Sequence, residues 1–168
     1  MISALAILPF VLSSPLEKPD FSNMSEQGLP ELIGELTANV ESSRGEPTQS
    51  FLEAAAACEM MLSAPEQFSP SGGQWLVRYQ GDDVSVFTRE GVIIMQRLKD
   101  GDFPESCGIV AVSADSEPQV VQAFSKKYDA VISSDKGTST FSTQTHTYRI
   151  RPAKNPKSAL SVVVRHKE

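Results

Sequence analysis

Cys58 and Cys107 are the only two cysteines in the chain, and no other feature restricts its folding more. Cys58 shares the apolar face of a helical pattern with Phe51, Ala54, Met61 and Leu62. Cys107 opens the run CGIVAV, Cys107 to Val112, which suits a short strand buried on both faces. One pair permits only one intramolecular bridge. In an oxidising compartment the two are expected to join and pin a helix to a sheet. In a reducing one they would be buried free thiols.

The periodicity around that pair predicts the remaining elements. Leu29, Leu32, Ile33, Leu36 and Val40 mark one face of a helix over 29–41, with Glu31 and Glu35 early, where the helix dipole favours acids. A second helix is expected over 51–63, capped by Ser50 with Glu53 completing a capping box. Three strands in a meander follow: Trp75 to Tyr79, Val84 to Phe87, and Val92 to Leu98. The Cys107 strand comes next, then a helix over 117–128 with Ser116 and Gln119 as its capping box. Residues 133–139 read as a turn, 140–151 as one long, mostly exposed strand, and Ala159 to Arg165 as the last strand. The expected class is α+β: an antiparallel sheet of five to six strands with two or three helices packed on one face. The expected order is α-α-β-β-β-β-α-β-β. A chain of 168 residues, 40% hydrophobic, suits a single core.

The start of the chain points to export. Ile2 to Leu12 is an almost unbroken apolar stretch, the length of a signal-peptide core and too short to span a bilayer. Val11 and Ser13 suit the −3 and −1 positions, so 1–13 is read as a signal peptide, although no Lys or Arg precedes the apolar stretch. Residues 14–28, polar and with two prolines, are a flexible linker, leaving 29–168 as the single domain. The expected location is periplasmic or extracellular, with no transmembrane span in the mature chain.

Charge is uneven. The net charge is −6, yet residues 136–168 hold seven bases against one acid. Arg149, Arg151, Lys154, Lys157, Arg165 and Lys167 form a candidate anion-binding surface on the C-terminal hairpin, whose turn is 152–158. Alternation sets Arg149 and Arg151 on the face opposite His146, Tyr148 and Ile150. Two structural readings compete with it. The bases pair internally with acids such as Glu31, Glu35 and Glu41, which is the preferred reading, or they protect an exposed sheet edge.

Catalytic chemistry has little to stand on. No nucleophile elbow, phosphate loop or zinc-protease motif is present. Only two histidines exist, His146 and His166, far apart in sequence, so no metal or cofactor is expected. Asp100, Asp102 and Glu105 lack the later ligands of a calcium loop and read as a solvated turn. His146 is the one base inside an expected element; Ser142, four residues away along a strand, is out of its reach. The reading is therefore an exported, non-catalytic binding or interaction domain. Its partner is another envelope protein or an anionic surface, not nucleic acid. The alternative is a small envelope hydrolase using His146 with a nearby serine or carboxylate.

Overall fold

The computed structural model describes residues 28–72, 74–98, 105–154 and 156–168. The expected signal peptide, nearly all of the linker, and Asp100 and Asp102 lie outside these residues. The described chain forms α1 (Leu29–Glu41), α2 (Thr48–Ser63), β1 (Leu76–Gln80), β2 (Val84–Arg89), β3 (Val92–Arg97) and β4 (Ser106–Val112). It continues through α3 (Glu117–Tyr128), β5 (Ser133–Asp135), β6 (Thr138–Ser142), β7 (His146–Pro152) and β8 (Ala159–His166). The class is α+β, as expected, with one antiparallel sheet of eight strands ordered β1-β2-β3-β4-β8-β7-β6-β5. No described helix is long and apolar enough to cross a membrane.

Two more strands are present than expected, for local reasons. Lys136 and Gly137 both take positive φ, 47° and 71°, the backbone of a tight hairpin turn, so the expected turn at 133–139 also carries β5. The expected long strand over 140–151 is instead a hairpin of β6 and β7. Its turn is closed by Thr143, whose backbone N–H donates to the His146 carbonyl (2.8 Å). The Thr143 hydroxyl in turn accepts from the His146 backbone N–H (3.0 Å). The threonine hydroxyl does here what an asparagine or aspartate side chain does in many turns.

The helices divide between the two faces of the sheet, which corrects the one-face expectation. Phe51, Cys58 and Met61 of α2 and Val120 and Phe124 of α3 pack against Ile94, Cys107, Ile109, Tyr148, Ile150, Val162 and Val164. On the other face, Leu32, Leu36 and Val40 of α1 pack with Tyr79, Val86 and Ile93, and with the flanking Val110 and Val112. Cys58 and Cys107 stand at disulfide distance, with Cα atoms 5.5 Å apart, so a bridge ties α2 to an interior strand.

The cap of α2 also differs from expectation. Ser50 lies inside the first turn, and its hydroxyl donates to Glu46 (3.1 Å). The free end of the helix is held from 67 residues away, by Asp115 Oδ2 accepting from the Thr48 backbone N–H (3.1 Å) and from the Thr48 hydroxyl. In α3 the Gln119 side chain accepts from the Ser116 backbone N–H (2.9 Å), in line with its expected capping box.

Candidate functional site

The register of β6, β7 and β8 generates a polar face. Thr140 is opposite Arg149, which is opposite Val163; Ser142 is opposite Thr147, which is opposite Arg165; Arg151 is opposite Ser161. Side chains directly across strands point to the same side, so these residues form one array. It lies on the side away from α2 and α3. Of the described helices only α1 is on that side, and it packs toward β1–β4. The array encloses a shallow depression of about 290 Å³ lined by Thr140, Thr147, Arg149, Arg151, Val163 and Arg165.

Three of the six candidate bases therefore converge: Arg149, Arg151 and Arg165. The other three do not. Lys154 and Lys157 lie in the β7–β8 turn, and Lys167 follows β8, with its Nζ 3.4 Å from the Thr143 carbonyl. The sheet-edge reading does not apply to the arginines, because the edges are β1 and β5 while β7 and β8 are interior. The acids of α1 do not reach them either; Glu35 is the partner of Arg78 (3.8 Å). Among the described residues no ion pair involves Arg149, Arg151 or Arg165. Glu105 and Glu168 line the adjoining depression that Arg165 also borders.

The opposite side of the same strands carries a second cluster, which sequence reasoning missed. His146 was expected on an exposed strand, yet it is 4% exposed. It pairs across the sheet with His166, its ring stacked at 5.4 Å, although the two are far apart in sequence. Its Nε2 is 3.0 Å from the hydroxyl of Ser63, the last residue of α2, and its Nδ1 is 2.9 Å from the Thr145 hydroxyl. One helical turn before Ser63, Glu59 Oε1 accepts hydrogen bonds from the hydroxyls of Tyr128 and Tyr148, the latter at 2.7 Å. Burial holds the His146 imidazole below the ordinary histidine range; the Glu59 carboxylate opposes that shift and the His166 ring adds to it. Burial and then the Glu59 carboxylate push both tyrosines well above the usual phenol range. An open cleft of about 570 Å³ lies over this cluster, bordered also by Asp129 and by the Ser142–Thr145 turn.

The one available signal was the i, i+4 spacing of Glu59 and Ser63, which sets both on one edge of a helix. That spacing says nothing of which strand they meet. Among the described residues no three His, Cys, Asp or Glu side chains gather as a metal-binding group. Comparison with protein-family models, with curated proteins and with solved structures finds no match.

Proposed function

We propose that this chain is an exported, non-catalytic binding domain that holds an anionic ligand on the open face of β7 and β8. The observation that carries the reading is the convergence of Arg149, Arg151 and Arg165 on one depression with no acidic partner among the described residues. Three guanidinium groups along one depression repel one another, and among the described residues no ion pair offsets their charge. An external anion would relieve that repulsion with charge-assisted, bidentate hydrogen bonds. Export is supported by the apolar run at Ile2–Leu12 and by the Cys58–Cys107 pair, since disulfides persist in oxidising compartments.

The protein's net charge makes the test clean. At −6 it is repelled as a whole from an anionic matrix, so any retention must be local. On phosphocellulose at low salt the unmodified protein is expected to be retained, and to elute as the screening length falls toward about 8 Å at physiological ionic strength. Changing Arg149, Arg151 and Arg165 together to Gln is expected to abolish retention and to leave the melting temperature unchanged or raised. Flow-through of the unmodified protein at low salt would sink the reading.

One observation favours a hydrolase instead. The Ser63 hydroxyl, His146 and the Thr145 hydroxyl are linked in series, the order of a nucleophile, a base and an orienting group. The position of Ser63 weighs against it. It ends α2, at the carbonyl pole, where an oxyanion is disfavoured. The next backbone N–H, that of Ala64, is already bonded to the Met60 carbonyl (2.9 Å). A fluorophosphonate probe is therefore expected to leave the protein unlabelled. Labelling that disappears in Ser63→Ala would put hydrolysis first.

A further inference from the structure

We propose that the anion is an acidic polysaccharide, bearing carboxylate or sulfate groups, whose chain lies across β6, β7 and β8. This rests on the anion-binding reading above and narrows it to one ligand class. Three features of the open face separate that class from other polyanions.

The first is the company the arginines keep. Thr140, Ser142, Thr147 and Ser161 stand beside them in the array, and their hydroxyls can both donate and accept. The hydroxyls of Ser142 and Thr147 are 3.2 Å apart and either can be the donor. A ligand made only of acceptors, such as a phosphodiester backbone, would use half of that capacity. A sugar chain brings hydroxyls that donate and accept, interspersed with anions, and matches a face of alternating hydroxyl and guanidinium groups.

The second is the spacing. Arg149 and Arg151 are two residues apart on β7, and Arg165 is one strand over and one row along, beside Thr147. Strand geometry then sets Arg149 about 7–8 Å from each of the other two at Cα, with Arg151 and Arg165 about 14 Å apart. The charges are spread over a platform, as a polymer with repeated anions requires, and are not gathered on a single ion.

The third is what the face does not present. Phe141 and Tyr148 point to the buried side, so no phenyl or phenol ring of β6, β7 or β8 is offered for stacking nucleic-acid bases, and the exposed His166 imidazole at the end of β8 is already stacked on His146. The large apolar side chains that are exposed among the described residues, Met60, Leu76, Val77 and Val131, belong to α2, β1 and the segment after α3. None lies beside the arginines to enter a bilayer, and surface helices and anchors bind lipid largely through such groups.

The experiment measures binding of the whole chain, at one salt concentration, to heparin, polygalacturonate, single-stranded oligo-dT and phosphatidylglycerol vesicles. Heparin and polygalacturonate distinguish sulfate from carboxylate as the anion. At least one of them is expected to bind more tightly than oligo-dT and vesicles. Arg149→Gln with Arg165→Gln is expected to weaken that binding more than about tenfold, through loss of two charge-assisted contacts. The triple change Thr140→Val, Ser142→Ala, Thr147→Val keeps every charge and suits exposed strand positions. It should weaken polysaccharide binding several-fold and leave vesicle binding as it was. Oligo-dT or vesicles binding as tightly as both polysaccharides would overturn the ligand class while the anion-binding reading stands. Binding to neither polysaccharide overturns it too. Failure of phosphocellulose retention removes the underlying reading itself.

Discussion

Replacing Cys58 and Cys107 together by alanine is expected to lower stability by about 2–4 kcal/mol and the melting temperature by on the order of 10 °C. The bridge joins residues 49 apart in sequence, so its loss frees a long loop in the unfolded chain. Both sulfurs are within the core between α2 and β4, and both residues are 0% exposed. Alanine is the right replacement there, because serine would bury two hydroxyl groups and add a desolvation cost unrelated to the bridge. The loss should be felt first where α2 meets the sheet, since Phe51, Met61 and Leu62 depend on the same docking. Thermal melts of the variant and of the oxidised parent decide the matter. Equal melting temperatures would mean that the pair adds nothing to the fold.

The same cysteines show how far the sequence could be read. Their pairing was legible because each lay in a pattern that needed only local information: a helical stripe for Cys58 and an apolar run for Cys107. For the same reason the spans of α1 and α3 were legible to within a residue or so. The side of the sheet on which α1 docks was not. Its stripe of Leu32, Leu36 and Val40 would suit either face. The choice depends on Tyr79, Val86 and Ile93, whose parity along the strands matters only once the register is known. The cap of α2 was hidden likewise, since Asp115 is remote in sequence from Thr48.

The candidate surface was half legible. Alternation along one strand set Arg149 and Arg151 on a common face, and that needed no register. Adding Arg165 and setting aside Lys154 and Lys157 needed the β7–β8 pairing. Sheet position also changes the meaning of those arginines. On an edge strand, positive charge guards against unwanted pairing. On interior strands no such task exists, which turns attention from protection to ligand binding. The buried cluster on the other side was the least legible, because Glu59, Tyr128 and Tyr148 come from three elements and no pair is near in sequence. Its energetics are nonetheless open to direct measurement.

Above pH 10 that cluster is expected to make the protein lose stability steeply. Tyr128 and Tyr148 both donate to the same oxygen of Glu59, and burial followed by the neighbouring carboxylate raises both phenols above their ordinary value of 10.0. A raised pKa means that the fold favours the protonated form. The resulting stabilisation is complete below the unfolded value near 10 and is lost as pH rises from there toward the folded values. Over that window each tyrosine adds a slope of about 1.4 kcal/mol per pH unit, so the pair adds nearly 3 kcal/mol per pH unit. Against a total stability of about 5–15 kcal/mol for a domain, such a slope removes a substantial share of the stability for each pH unit above the unfolded value. The double change Tyr128→Phe, Tyr148→Phe removes both titrating groups. It should cost stability at neutral pH, where Glu59 loses its two donors. It should also flatten the slope above pH 10. All other ionisable groups are common to both proteins and cancel in the difference. Urea unfolding from pH 9 to 11.5 measures that difference directly, and parallel slopes for the two proteins would show that the tyrosines are not held protonated by the fold.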